Sequence, residues 1–292
     1  MIKGEKIKLK PEEKRRIFGF FGWLTISSIS LIFFIHIDTF MLGIFLPANF
    51  VGYYNAVVGL VGTAIALVSF SAVLLPAFTQ LEKGKLERGF RKVFHYTSMV
   101  AIPAAIGLAF VAVPAVQFIF GHTYVPQQYR IAIIIASALL SFLAIESAYT
   151  SIFSTVFQAR EKPKIPAILI IISAIANIAL SYIFIRIGVA IRPEYGLIAV
   201  AAATLIARYG NLIALSIMTK RERIGVSASS IIKPLIASAI MLGFLFAFHH
   251  FVHLNIWTGI LMMVLAALVY LGAMLLIKGI KKEDFKLIRM LR

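Results

Sequence analysis

Eight long apolar stretches run through this chain, separated by short gaps, and the basic residues occupy every second gap. A membrane-spanning helix needs about 20 predominantly apolar residues at about 1.5 Å rise each. The stretches 17–44, 51–80, 97–120, 130–157, 165–187, 196–218, 232–252 and 256–277 meet that length. All but five of the 29 Lys and Arg residues lie in the N-terminal arm, the even-numbered gaps or the C-terminal tail; Lys233 stands one residue inside the seventh stretch, beside such a gap, and the other exceptions are Arg130, Arg186, Arg192 and Arg208. Cytoplasmic loops collect Lys and Arg because such loops resist translocation. The expected fold is therefore an all-α membrane protein of about eight transmembrane helices. Both termini are expected on the cytoplasmic side of the cell (plasma) membrane.

Composition agrees. The chain is 61% hydrophobic and 14% charged, more apolar surface than a water-facing domain of 292 residues could hide. In a bilayer that surface needs no burial, provided the backbone satisfies itself inside helices. The formal charge of +17 is spread over short segments with no aromatic-interleaved patch, so membrane lipid headgroups are the expected counter-charge and no nucleic acid is expected. No cysteine is present, which excludes disulfides and thiolate metal sites. His249 and His253 share metal-ligand spacing, but no carboxylate lies near them in sequence, and the chain is expected to work with neither metal nor cofactor.

The chain divides into a basic arm (1–16), six helices (17–220), a further helix pair (221–277) and a basic tail (278–292). The tail alternates basic and apolar residues and is expected on the inner interface. Residues 82–88 read as a short surface helix. Pro103 and Pro114 fall inside the third span, where each removes a backbone donor and is expected to bend the helix. Pro76 and Pro166 sit near cytoplasmic helix ends.

Polar residues at membrane depth carry the functional signal. Arg208 lies about 12 residues, hence near the midplane, from the outer end of its helix, and Ala201, Thr204 and Asn211 share its face. An arginine there costs roughly 2.5–3.5 kcal/mol to insert, so it should face protein or a wet cavity. Glu146 lies at comparable depth in the fourth span among Ser147, Thr150, Ser151, Ser154 and Thr155. Ser173, Asn177 and Ser181 follow at four-residue spacing. Two readings stand for these faces: a hydrophilic cavity, in which Arg208 holds an anion or pairs with Glu146, or packing by small and hydroxyl residues. Asp38, counted from Arg16, falls near the outer surface, either as an interfacial charge or as a cavity residue. Arg130 and Arg186 are expected at the outer mouth.

The runs Ile37-Asp38-Thr39-Phe40-Met41-Leu42-Gly43 and Val51-Gly52-Tyr53-Tyr54-Asn55-Ala56 resemble the start of the C-terminal lobe of Wzx-type polysaccharide exporters, in the superfamily that includes MATE drug antiporters and the MurJ lipid II flippase. Leu75-Pro76-Ala77-Phe78 and Ile119-Phe120-Gly121-His122-Thr123-Tyr124 resemble that family's helix end and outer turn. Ala176-Asn177-Ile178-Ala179-Leu180, then Tyr195-Gly196-Leu197-Ile198-Ala199-Val200-Ala201-Ala202-Ala203-Thr204, resemble its Asn-bearing helix and the helix that follows. The resemblance covers about residues 20–215. It implies one six-helix lobe of the two-lobed flippase fold plus the terminal helix pair of the longer members. Val200 stands where the family pattern has glycine. Since family members have two six-helix lobes, a missing N-terminal lobe or a second copy of this chain is the implied partner.

The resemblance implies export of a polyprenyl- or dolichyl-linked oligosaccharide across the membrane, a transporter and not an enzyme. The alternative on the same fold is an ion-coupled multidrug antiporter of the MATE type, with Asp38 or Glu146 binding Na⁺ or H⁺. A membrane enzyme acting on polyprenyl phosphates is disfavoured, because the outer loops are short and no paired acidic motif appears. An accessory lobe with no transport of its own is the fourth reading. The expected cavity residues are Arg208, Glu146, Asn177, Thr204, Asn211, Asp38, Arg130 and Arg186.

Overall fold

The computed structural model describes residues 10–68, 83–222, 224–252 and 255–279. Nine α-helices are described: α1 Pro11–Phe45, α2 Ala48–Val68, α3 Lys83–Phe120, α4 Arg130–Ser141, α5 Leu143–Ala159, α6 Lys164–Ile191, α7 Tyr195–Arg221, α8 Ser229–Phe251 and α9 Ile256–Leu276. Two 3-10 turns, His122–Tyr124 and Gln127–Tyr129, precede α4. Eight segments are long and apolar enough to cross a membrane, α4 and α5 together forming one of them. Each of the eight apolar stretches thus contains such a segment, the second being described only as far as Val68.

Three details differ from the sequence reading. Residues 83–88 are not a separate surface helix: α3 begins at Lys83 and continues to Phe120, because no proline, glycine pair or cap interrupts it there. It also continues through Pro103 and Pro114. The fourth span is broken at Phe142, where ψ relaxes to −14° and the amide donates to Leu139 and Leu140 instead of i−4. No proline marks the break. The hydroxyls of Ser137 and Ser141 donate to the carbonyls of Ile133 and Ser137 at 2.6 and 2.7 Å, a pattern that loosens and bends helices. Tyr209 Oη then donates to the Phe142 carbonyl at 3.0 Å, fixing the break against α7. The end of the second stretch with Pro76 and Leu75-Pro76-Ala77-Phe78, His253, and the tail beyond residue 279 lie outside the described residues.

The basic gaps gather at one end of the bundle. Arg160 and Lys162, between α5 and α6, reach Glu222 after α7 at 2.8 and 2.6 Å, and Arg16 of α1 pairs with Glu161. The opposite end is closed by apolar packing. Met41, Leu42, Leu46, Phe50, Tyr54, Val116, Leu197 and Val200 form one core cluster, and the rings of Phe50 and Tyr129 meet at 4.9 Å.

Small residues let α6 and α7 approach closely. Gly188 lies where an added Cβ would stand 2.9 Å from the Tyr195 carbonyl. Without a hydrophobic drive between helices in lipid, such close backbone approach is what holds them. Helix α1 packs along α6, whereas α2 packs on α3, α4 and α5. The two consecutive helices therefore diverge from the hairpin that joins them. Helices α8 and α9 pack against the far side of α3, through Met241, Leu245, Met262 and Tyr270 against Met99, Ile106 and Phe110.

Candidate functional site

The divergence of α1 from α2 leaves a partly open cavity of about 740 Å³. Leu24, Ser27, Ser28, Leu31, Phe34, Ile35 and Asp38 line it from α1, and Val58, Val61, Gly62 and Ile65 from α2. Its polar wall is α5, with Ser147, Thr150, Ser151, Ser154, Thr155 and Gln158, joined by Thr204 and Arg208 of α7. These α5 positions recur at steps of three and one, which keeps them on one helical face. The outer core cluster stands beyond Asp38, so the cavity runs from there toward the end that carries the basic gaps.

Arg208 sits in the wall as half of an ion pair. Its Nε donates to Glu146 Oε2 at 2.7 Å and its Nη2 to Ser147 Oγ at 2.8 Å. Thr150 Oγ1 donates to the second oxygen, Glu146 Oε1, at 2.7 Å. The guanidinium also lies 5.7 Å from the centre of the Phe34 ring, within cation–π range. The two partners differ in exposure: the Glu146 side chain is 2% exposed and that of Arg208 13%. Glu146 is thus sealed behind Arg208, which alone of the two reaches the cavity. The arrangement combines both functions that residue depth suggests for the pair, mutual neutralisation and a cavity-facing cation.

A second polar cluster lies nearer the α1–α2 hairpin. Asp38 Oδ2 accepts from Tyr54 Oη at 3.1 Å and Oδ1 from Asn177 Nδ2 at 3.0 Å. Asn177 Oδ1 accepts from Ser181 Oγ at 3.3 Å and Thr204 Oγ1 at 3.4 Å. The cluster joins α1, α2, α6 and α7. Asp38 is buried. An interfacial charge at the outer surface, one of the two readings of Asp38, is therefore corrected: the aspartate lines the cavity and is enclosed by amide and hydroxyl donors.

The structure brings together Arg208, Glu146, Thr204, Asn177 and Asp38, directly in the wall or one hydrogen bond behind it. It does not bring the others there. Asn211 is buried one helical turn further along α7, with its side-chain oxygen unpartnered. Arg130 is exposed at the start of α4. Arg186 is exposed on α6 and donates to Tyr182 Oη at 3.1 Å. Tyr54, Tyr209 and Phe34 were not singled out as site residues by sequence. Tyr54 does fall within the Val51–Ala56 run that carries the family resemblance; Tyr209 and Phe34 bear no such signal. Among the described residues no group of three or more potential metal ligands occurs.

Comparison with known proteins places this architecture. A family model described as "Polysaccharide biosynthesis protein" matches residues 5–129. The probable low-salt glycan biosynthesis flippase Agl15 of Haloferax volcanii is 25% identical, over 95% of this chain and 58% of the relative. An uncharacterized membrane protein of Methanocaldococcus jannaschii is 26% identical, over 69% of this chain and 38% of its own length. Among solved structures, the lipid II flippase MurJ in an inward closed conformation superposes with a TM-score of 0.65 and 21% identity, over 93% of this chain and 56% of that one. The chain therefore has the fold of one portion of MurJ, and the resemblance to Wzx- and MurJ-type exporters read from its motifs is met in family, relative and fold. It spans less than two thirds of the length of Agl15 and of the MurJ structure.

Proposed function

We propose that this chain is a lobe of a lipid-linked glycan flippase, carrying the second six-helix unit and the terminal helix pair of the two-lobed fold. It moves a polyprenyl- or dolichyl-linked oligosaccharide from the inner to the outer leaflet of the plasma membrane. Both termini lie in the cytoplasm, as the gathering of the basic gaps at one end supports. The complementary wall of the substrate path comes from a first lobe or from a second copy of this chain.

The observation that carries the reading is the cavity between α1 and α2, with Arg208 held in its wall by Glu146. A lipid-linked precursor is an apolar tail joined to a diphosphate and sugars. The tail can stay in the bilayer, while the head needs a wet path with hydrogen-bonding walls. Arg208 offers a permanent charge and a planar fork of donors, the residue type suited to phosphate oxygens. Alternating access would come from rocking of this lobe against its partner. The relatives act in glycan biosynthesis by name, which favours the flippase over a drug antiporter.

The test is complementation of a strain lacking its lipid-linked glycan flippase, with a partner lobe co-expressed. The parent chain is expected to restore glycan display. Arg208→Ala is expected to insert normally and fail to restore it; full restoration by that variant would remove Arg208 from the path. Proton- or sodium-driven dye efflux by the parent chain in vesicles would favour the antiporter.

A further inference from the structure

Pro103 leaves a gap in the hydrogen-bond ladder of α3. In an unbroken helix the carbonyl of Met99 accepts from the amide of residue 103, and a proline has none to give. A carbonyl without a partner is costly in a membrane span, where no water replaces the donor. Another helix fills the vacancy: Tyr270 Oη of α9 donates to the Met99 carbonyl at 2.8 Å. Tyr270 is buried, in the cluster where α8 and α9 pack on α3 through Met241, Met262 and Met274 beside Met99. Methionine side chains are pliable and specify register loosely. The hydroxyl–carbonyl bond is directional, so it fixes where along α3 the pair sits.

The neighbouring residue of α3 is held from α5. Tyr149 Oη donates to Ser98 Oγ at 2.9 Å, and Ser98 Oγ donates to the Phe94 carbonyl at 2.7 Å. The Tyr149 ring stacks on Phe94 with centres 4.5 Å apart. Tyr149 stands three residues past Glu146, on the helix that supplies the polar wall of the cavity. Two tyrosines from different helices therefore grip consecutive residues, Ser98 and Met99, one turn before the proline.

We propose that the terminal helix pair splints the proline gap of α3, and that Tyr270 is a positioning residue for the α5 wall of the cavity. Prolines are where helices bend, because the missing bond leaves the turn free to open. With Tyr270 in place, the turn from Met99 to Pro103 is closed from outside the helix. Without it the turn loosens, and Ser98 at its edge carries Tyr149, and through Tyr149 the part of α5 that bears Glu146. The pair thus acts on the cavity at a distance, through α3, although neither α8 nor α9 supplies a residue to the cavity lining. The inference concerns how the wall is held and stands whatever passes along it.

The experiment is a double-variant cycle on the full chain in nanodiscs. The chain has no cysteine, so Ser28→Cys on α1 and Ser154→Cys on α5 carry a pair of spin labels across the cavity. The readouts are the thermal midpoint and the distribution of distances between the labels. Tyr270→Phe removes only the hydroxyl. In the parent it is expected to lower the midpoint by about 2–4 °C, the worth of roughly one hydrogen bond, and to broaden the distance distribution. In a Pro103→Ala background, where residue 103 regains its amide, the same substitution is expected to change both readouts little. Pro103→Ser also restores the amide and repeats the cycle should the alanine variant fail to insert. Tyr149→Phe, which cuts the α5 end of the linkage, is expected to broaden the distribution as well. An equal loss of midpoint from Tyr270→Phe with and without the proline would make the Tyr270 bond an ordinary one between helices and overturn the splint. An unchanged distribution in either tyrosine variant would overturn the link to α5.

Discussion

Asn177 on α6 donates through Nδ2 to Asp38 Oδ1 on α1 at 3.0 Å, a bond between residues 139 positions apart. It links the helix that begins the chain's described part to the α6–α7 pair, at the point where α1 parts from α2. Asn177 also accepts from Ser181 and Thr204. Replacing it by leucine leaves a buried carboxylate short of one donor and two hydroxyls short of an acceptor. Asn177→Leu is expected to destabilise the fold by roughly 2–3 kcal/mol, read as a lowered thermal midpoint in nanodiscs. Asn177→Asp is expected to do worse, since it sets a second carboxylate against Asp38.

The Glu146–Arg208 pair is expected to be strongly non-additive. Arg208→Ala strands a carboxylate that is almost wholly buried, at a cost of roughly 3 kcal/mol or more. Adding Glu146→Gln to it is expected to recover most of the loss. Thermal unfolding of the two single variants and the double variant checks this as a cycle. Transport is expected to stay absent in the double variant, because the cation facing the cavity is gone.

Gly188 and Gly196 make an instructive pair. A Cβ at Gly188 meets the backbone carbonyl of Tyr195, which cannot step aside. A Cβ at Gly196 meets Leu46 Cδ1 at 2.6 Å, the end of a side chain that can turn. Gly188→Ala is expected to cost about 1–3 kcal/mol and Gly196→Ala distinctly less. The difference in thermal midpoint between the two variants is the measurement.

At the end of the bundle that carries the basic gaps, Lys162 and then Arg160 hold the Glu222 carboxyl below the usual carboxylate range, chiefly through the Lys162 hydrogen bond. A carboxylate depressed in the folded state stabilises fully above its unfolded pKa and loses that contribution as the pH falls through its folded value. The clasp between the α5–α6 and α7–α8 connections is thus expected to be intact from neutral pH down to about 5 and to weaken below. Thermal midpoints of the parent and Glu222→Gln should differ by a constant amount above that point and converge at lower pH. A difference independent of pH would exclude the clasp as the cause.

Much of this was legible from residue types and spacing. Eight long apolar helices follow from hydropathy and length, and the pairing of Arg208 with Glu146 follows from the cost of a charge in hydrocarbon, which leaves few ways to satisfy it. What failed was azimuth and long-range pairing. On α6 the four-residue spacing marked Ser173, Asn177 and Ser181 as an inward face, and all three are buried, but nothing in the spacing showed that Arg186 points outward beside Tyr182. Counting residues from Arg16 put Asp38 at the outer surface, but the partners that enclose it come from α2, α6 and α7. The break at Phe142 left no trace, since it arises from serine back-bonding and a tyrosine on another helix, with neither proline nor glycine present.

That break gives one membrane crossing two mechanical parts. One half, α4, follows the Tyr129 ring that meets Phe50; the other, α5, bears Glu146 and the hydroxyl face. The turn at Phe142, held by Tyr209, sets the two halves on separate axes, so the packing of one does not dictate the direction of the other.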